Sequence, residues 1–393
     1  MQKKLLVLNG GLSELPLIKE AKAMGYHVVT TGNAPELIGH QFADEYIPAD
    51  YSNKDLILNL VQENNINAIV SCANDFGVIT SAYVSEKMGW KGHDTYENAV
   101  LLHQKDLFKT LIQDMGIRCP YSETFQSKKD ALSYIKHAEY PLIVKATDLT
   151  GGKGILKAEN HEQAVKAIDN AFYKSRSKHI VIEPFLTGVQ QSIVTFIINK
   201  KVFVSTSNDT YSPINPYLIQ SETIPAKGIE KIQEELYEII ESICEKLSLV
   251  DGILIVQYII KDEKPYVIEL MRRCPGNQYL TVAGIASGFP WENALIRAET
   301  GMELKDLKIQ KPISKFTGHH GIMVDHNGKI EGYTIDPKIE KHIFKKIDIL
   351  APGESINDYL NERVAYIYYK YDSFEEMIDD VSHMNEYIQV KFI

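Results

Sequence analysis

Over the first hundred residues, short continuous apolar runs alternate with segments of helical spacing, and this pattern restricts the fold more than any other feature. Residues 4–9 (KLLVLN), 26–31 (YHVVTT) and 68–72 (AIVSC) read as strands, with a shorter extended piece at Tyr46 and Ile47. Between them, residues 13–24, a stretch capped by Ser52 and running to about Asn64, and residues 76–88 carry helical periodicity. Strands that alternate with helices of this length form βαβ units, and so a parallel sheet. Such a sheet is covered on both faces, which is why its strands read as unbroken apolar runs. Two positions at the strand ends carry two readings each. Gly10-Gly11 in NGGLSE is either a tight turn or a ligand loop; it lacks GxGxxG spacing, and Glu14 stands where a pyrophosphate would approach the helix. Asp75 follows the AIVSC run, at the edge where open α/β sheets bind ligands; Asn74 or Asp75 could equally cap the next helix.

After Gln104 the pattern changes to α+β. A helix over 106–114 ends at Gly116, with Pro120 beyond it. A strand at 141–145 (PLIVK) leads into a glycine-rich loop, TGGKG, and a helix from about His161 to Phe172 precedes a strand at 179–183 (HIVIE). Residues 191–198 and 201–206 predict a hairpin across Asn199-Lys200. Residues 252–260 and 265–270 predict a second, turning at 261–264, after a long helix over 229–247. From about Lys311 the strands are short, with a strand at 364–370 and an acidic helix at 373–384.

A length of 393 residues points to two or three domains. The 52 Asp+Glu against 42 Lys+Arg give a formal charge of −10, which argues against general nucleic-acid binding, a property that depends on neutralising phosphates. Cys72, Cys119, Cys244 and Cys274 form no CxxC pair and read as reduced thiols. No apolar stretch approaches the roughly 20 residues that span a bilayer, and the first apolar run lacks the longer core of a signal peptide. The expectation is a soluble, cytoplasmic enzyme that binds neither membrane nor nucleic acid.

Three features in the middle of the chain carry chemistry. Lys145 ends an apolar strand just before TGGKG; glycines let a loop approach phosphates and present N–H groups, and the same loop is also a plain hairpin turn. IVIEPFL puts Glu183 at the end of a buried strand, before Phe185 and Leu186. Such a segment offers an adenine both apolar walls and backbone hydrogen bonds, or it is simply a strand ending in a turn. Gln257 and Glu269 face each other across the second hairpin, as oxygen ligands of Mg²⁺ do, and Arg272 and Arg273 follow, able to offset charge on a transferred phosphoryl group. A surface salt bridge is the alternative reading.

Lys105, PLIVK with its glycine-rich loop, E-P-F-L-x-G-x-Q, and Q-(x)11-E-x-M-x-R together resemble the ATP-grasp superfamily. The nearest resemblance is to the carbamoyl-phosphate-synthetase-like carboxylate–amine ligases, of the L-amino-acid ligase type. It implies a parallel-sheet α/β domain over 1–103, an ATP-grasp domain over 104–310 with a lid at about 115–188, and a small α+β domain over 311–393. It implies that Lys105 and Lys145 contact ATP phosphates under a lid loop of Thr150, Gly151, Gly152, Lys153 and Gly154. Glu183, Phe185 and Leu186 would hold adenine, and Gln190 stands where the family carries a Glu on the ribose. Gln257 and Glu269 match the metal positions, for Mg²⁺ or Mn²⁺, with Met271 where an Asn is usual. Arg273, with Arg272 beside it, would act on the transferred phosphate. The implied activity joins a small-molecule carboxylate to an amine through an acyl phosphate, a homodimer being one possible assembly. Alternatives are a bicarbonate-activating carboxylase or carbamoyl-phosphate-type enzyme, and an ATP-binding module with impaired catalysis.

Three other features fall outside that set. His319 and His320 are expected on opposite faces of a strand, and Arg297 on a helix near Trp291 is read as solvated or as a substrate contact. The stretch 208–222, bracketed by Asp209 and Glu222, is expected to be a long loop suited to substrate recognition.

Overall fold

The computed structural model describes residues 2–71, 73–149 and 153–393. The chain divides into two compact units. One comprises Met1–Ser205, Glu230–Gln278 and Pro290–Lys308; the other comprises Thr206–Ile229, Tyr279–Phe289 and Ile309–Ile393.

The first unit opens with β1 (Lys4–Leu8), α1 (Leu15–Ala23), β2 (His27–Gly32), β3 (Glu45–Pro48), α2 (Lys54–Glu63), β4 (Ala68–Val70) and α3 (Asp75–Met88). Its strands are all parallel, in the order β3-β2-β1-β4, with Lys4 opposite His27 and Leu5 opposite Ala68. The apolar runs are continuous because both faces are covered: Leu5, Leu6, Val7 and Leu8 are all fully buried. Asn53, not Ser52, caps α2, accepting from the Leu56 N–H. The Ser52 hydroxyl is turned back onto Asp50 Oδ1 at 2.8 Å. Asn74 caps α3, which leaves the Asp75 carboxylate available for other partners.

Two helices follow, α4 (Tyr96–His103), which sequence reading did not anticipate, and α5 (Lys105–Asp114). Then β5 (Glu123–Phe125), α6 (Lys128–Tyr134), β6 (Leu142–Ala146), β7 (Ile155–Ala158), α7 (His161–Lys174) and β8 (Ile180–Pro184) build an antiparallel sheet in the order β5-β8-β6-β7. The alanine-rich face of α7 lets it lie close on that sheet: Ala164, Ala167, Ile168 and Ala171 pack with Leu142, Val144, Ile180 and Ile182. Next come β9 (Val189–Ile198) and β10 (Lys201–Tyr211). Asn199 and Lys200 between them both take positive φ, 51° and 65°, as a two-residue hairpin loop that follows the strand twist demands. After α8 (Gln233–Leu247), strands Gly252–Lys261 and Lys264–Met271 pair across Asp262 and Glu263 in the same way (φ 52° and 58°). The first of the two also pairs with β9.

In the second unit the end of β10 pairs with Ser221–Ile224, which pairs with Phe316–Ile322, then Ala365–Tyr371, then Ile343–Asp348. A three-stranded sheet of Ser355–Ile356, Gly328–Ile335 and Ile388–Phe392 completes it. Helix Phe374–Ser382 is capped by Ser373 and buries Met377 and Val381 in the unit's core. The long loop expected over 208–222 is shorter than predicted. Asp209 lies opposite Thr223 and Thr210 opposite Glu222 on paired strands, so only residues 212–220 are irregular. The β-branched and aromatic content of NDTY and SETI carries the ladder through residues that composition alone assigns to a turn.

Candidate functional site

Glu183 is the most buried charged group of the site, 1% exposed at the end of β8. In the β6–β8 ladder Ile143 pairs with Glu183 and Lys145 with Val181, so Lys145 and Glu183 lie diagonally on one face. Lys145 Nζ donates to Glu183 Oε2 at 2.7 Å. The other carboxylate oxygen faces Lys109 Nζ of α5 at 3.4 Å, and Lys109 also reaches the Val267 carbonyl at 3.4 Å. Burial alone would raise the Glu183 pKa, but the two ammonium groups outweigh it and bring it down to about 2. Burial pushes Lys109 below the ordinary lysine value, an effect that Glu183 only partly offsets. Lys109 was missed in the sequence; the available signal was its position four residues after Lys105, on the same helix face.

Gln257 and Glu269 are directly opposed in register, and Ile255 opposes Met271, with a bulge after Gln257. Lys105, at the start of α5, places Nζ 2.9 Å from Glu269 Oε1 and donates to the Leu149 carbonyl at 2.9 Å. Burial acts to lower the Lys105 pKa, yet Glu269 and Asp75 hold it above the usual lysine value. Met271, 5% exposed, does not stand free beside this pair: its sulfur lies 3.2 Å from Arg273 Nη2.

Arg273 is anchored by Asp75, whose Oδ1 accepts from Nε at 2.5 Å, and by the Cys274 carbonyl, which accepts from Nη1 at 3.1 Å. Asp75 is 6% exposed. Burial would raise its pKa, but Arg273 and Lys105 hold it below the ordinary aspartate value. The segment leading into Asp75 is held in turn by Glu14. This buried carboxylate accepts from the Gly11 N–H and the Ala73 N–H, each at 2.9 Å, and from Asn9 at 3.1 Å. Burial raises the Glu14 pKa in spite of these donors. The NGGLSE segment is therefore a turn whose Gly11 N–H is taken by the protein's own carboxylate, and Cβ at Gly10 would fall 2.3 Å from the His40 ring.

Arg272 points elsewhere. Its Nε donates to Asp94 Oδ2 at 2.8 Å, Nη1 to the Ile253 carbonyl at 2.8 Å and Nη2 to the Val250 carbonyl at 2.7 Å. The two arginines take separate partners, Asp94 and Asp75, so only Arg273 joins the Lys105–Glu269 cluster. His103 Nδ1 bonds the Ala99 carbonyl at 2.8 Å and Nε2 accepts the Arg272 N–H at 3.2 Å, the partners of a neutral imidazole. Burial, which lowers its pKa, favours the same form. Neither Asp94 nor His103 carries a sequence signal, because each acts through a partner more than 150 residues away.

Of the glycine-rich loop, Thr150, Gly151 and Gly152 lie outside the described residues, as does Cys72. Lys153 is exposed. Gly154 takes φ +73°, and a Cβ there would meet Ala146 Cβ at 3.1 Å, while its carbonyl accepts from the Ala146 N–H. The Phe185 N–H donates to the Pro141 carbonyl at 2.9 Å, and Lys157 Nζ lies 4.1 Å from the centre of its ring. Leu186 is half-buried and Gln190 exposed, opposite Ile259. The structure thus brings Lys105, Lys145, Glu183, Gln257, Glu269 and Arg273 into one unit, with Asp75 and Lys109 added. Counting Lys105, Lys109, Lys145 and Arg273 against Asp75, Glu183 and Glu269 leaves this cluster one positive charge in excess, although the chain is acidic.

Arg297 is held by the Glu303 carbonyl and Asp306. In the second unit the adjacent histidines take different partners: His319 Nε2 bonds Glu222 at 2.6 Å and His320 Nδ1 bonds the Ser221 hydroxyl at 2.6 Å. The three described cysteines, Cys119, Cys244 and Cys274, are free thiols, and no described helix is long and apolar enough to cross a membrane.

A family model for phosphoribosylglycinamide synthetase, ATP-grasp (A) domain, matches residues 103–215. Among curated proteins, the carbamoyl phosphate synthase arginine-specific large chain of Bacillus subtilis (strain 168) is 22% identical over 331 residues. That match takes in 83% of this chain and 30% of that protein, so the chain spans about a third of the relative's length. The crystal structure of L-amino acid ligase from Bacillus licheniformis superposes with a TM-score of 0.80 at 18% identity, over 100% of this chain and 99% of that one. Phosphoribosylglycinamide synthetase from Anaerococcus prevotii gives a TM-score of 0.79 at 19% identity, with 100% of both chains covered.

Proposed function

From the ATP-grasp fold that these likenesses establish, we propose that the chain is an ATP- and Mg²⁺-dependent ligase that joins a carboxylate to an amine. The observation that carries this reading is the convergence of Lys105, Lys109, Lys145 and Arg273 on three carboxylates. A cluster with an excess of buried cations is stabilised by an anion that supplies the missing charge, and a nucleotide's phosphates do so.

Lys145 is pre-oriented by Glu183, which accepts from its ammonium at 2.7 Å, and Lys105 stands at the other end of the cluster. In this reading both contact phosphates. Adenine lies at the end of β8, between Phe185 and Leu186, with Gln190 toward the ribose. Gln257 and Glu269 present oxygens from the same face of a hairpin, a donor set that fits Mg²⁺, which commonly takes one or two carboxylates and completes its shell with phosphate and water. Gln257 and Glu269 would hold the ion, which would supply positive charge against the nucleotide's phosphates. Arg273, held in place by Asp75, lies where charge gathers on the phosphoryl group in transfer, whereas Arg272 supports the fold through Asp94.

A carboxylate oxygen attacks the terminal phosphorus, forming an acyl phosphate as the bond to ADP breaks. An amine then attacks the acyl carbon; the C–N bond forms, the C–O bond to phosphate breaks, and phosphate leaves with the amine's proton. The likeness to carbamoyl phosphate synthase favours bicarbonate as a second candidate acceptor. The test is phosphate and ADP release from Mg-ATP with panels of amino acids and other carboxylates and amines, and with bicarbonate alone. Release that requires both an acid and an amine supports the ligase; release with bicarbonate alone assigns the second reading. Folded, ATP-binding protein that turns over with none of them defeats both.

A further inference from the structure

The donor set at the metal position is short of negative charge. Of Gln257, Glu269 and Met271, only Glu269 is a carboxylate, and the Met271 sulfur is engaged with Arg273 at 3.2 Å. A thioether is in any case a poor partner for a hard cation. The one carboxylate is itself held: Lys105 Nζ lies 2.9 Å from Glu269 Oε1, with the two side chains only 12% and 28% exposed. The same ammonium donates to the Leu149 carbonyl, at the entrance to the glycine-rich loop. A free divalent cation approaching Glu269 meets a fixed positive charge in hydrogen-bond contact with its only anionic ligand. Asp75 and Glu183 are each already paired, Asp75 Oδ1 with Arg273 and Glu183 with Lys145 and Lys109.

We infer that Glu269 is a gated metal ligand, closed to free divalent cations by Lys105 and opened when a nucleotide's phosphates draw Lys105 away. This rests on the ATP-dependent reading above. A triphosphate supplies both what Lys105 needs to leave, a competing anion, and what the cation lacks, further hard oxygens. Metal therefore enters as the nucleotide complex.

The test reads Mn²⁺ directly, by electron paramagnetic resonance and water-proton relaxation, on the full-length protein. Wild type is expected to bind Mn²⁺ weakly until a non-hydrolysable ATP analogue is present. Lys105→Gln should bind nucleotide-free Mn²⁺ about tenfold tighter than wild type, the effect of removing one partly buried ion pair. Lys105→Arg, which keeps the pair, should stay closed, and Glu269→Gln should abolish binding with or without nucleotide. Thermal melts verify that each variant is folded. Nucleotide-free binding by wild type as tight as that by Lys105→Gln overturns the gate and leaves the ligase reading intact. Full Mn²⁺ binding by Glu269→Gln overturns it too. Failure of wild type to bind the analogue, followed without metal by calorimetry, removes both proposals.

Discussion

Replacing Glu183 by Gln tests the electrostatics of the site most directly. The substitution keeps the shape and removes the charge from a position 1% exposed, between two ammonium groups. A carboxyl whose pKa falls from 4.5 to about 2 on folding contributes about 3 kcal/mol to stability, at roughly 1.4 kcal/mol per pKa unit. Breaking a buried pair by removing one partner costs about 3–5 kcal/mol by an independent route, so a loss of about 3 kcal/mol at pH 7 is expected. The pH dependence has a fixed sign. Because the folded pKa is depressed, the contribution is complete above the unfolded value of 4.5 and is lost as pH falls toward about 2. Urea unfolding of wild type and Glu183→Gln at a series of pH values should therefore show a gap that is constant near neutrality and shrinks below about pH 4.5. A second variant tests the cause. Adding Lys109→Met to Glu183→Gln removes one of the two uncompensated cations and should recover part of the loss. A gap under about 1 kcal/mol at pH 7, in the range of an exposed pair, refutes the reasoning. So does a gap that stays flat to pH 3, or a double variant less stable than the single one.

Asp75→Asn should leave the ATP KM nearly unchanged and lower kcat by about 10- to 100-fold, as expected when a group is misplaced at the reacting centre; steady-state kinetics separate the two. An equal rise in KM with unchanged kcat would assign Asp75 to binding instead. Arg272→Ala strands Asp94 and two carbonyls and should cost about 3–5 kcal/mol in denaturant unfolding. Arg273→Lys should instead keep most of the stability and lose turnover, because an ammonium cannot hold Asp75 and the Cys274 carbonyl in the same fork. Met271→Asn should reduce kcat/KM and destabilise by about 1–3 kcal/mol, since it exchanges a buried thioether beside Arg273 for a polar group. A large gain in Mg²⁺-dependent turnover would show that the metal site is limited by the missing oxygen.

Much of the fold is legible because its signals are local. The parallel strands, the two hairpins and the helix Phe374–Ser382 follow from apolar runs, turn residues and caps within a few positions of one another. Where local signals tie, the reading slips: Ser52 and Asn53 are both good caps, and only the Asp50 carboxylate, which takes the Ser52 hydroxyl, decides for Asn53. Helix α4 was missed because its apolar positions form no clear stripe, and it gains its place by packing against α3 and α5.

The residue types of the candidate site and their order were set by the sequence alone: a lysine ending a strand, a carboxylate ending another, an amide and a carboxylate opposed across a hairpin, then two arginines. Which arginine joins the Lys105–Glu269 cluster was decided only by tertiary structure, through Asp94 and Asp75, 178 and 198 residues upstream of the arginine each one holds. The same holds for Lys109 on Glu183 and for the Met271 sulfur on Arg273. The physical reason is that a motif specifies the groups able to bind a phosphate or a metal, whereas charge state and aim depend on burial and on the nearest opposite charge. Those neighbours come from segments distant in sequence, brought close only when the apolar core closes.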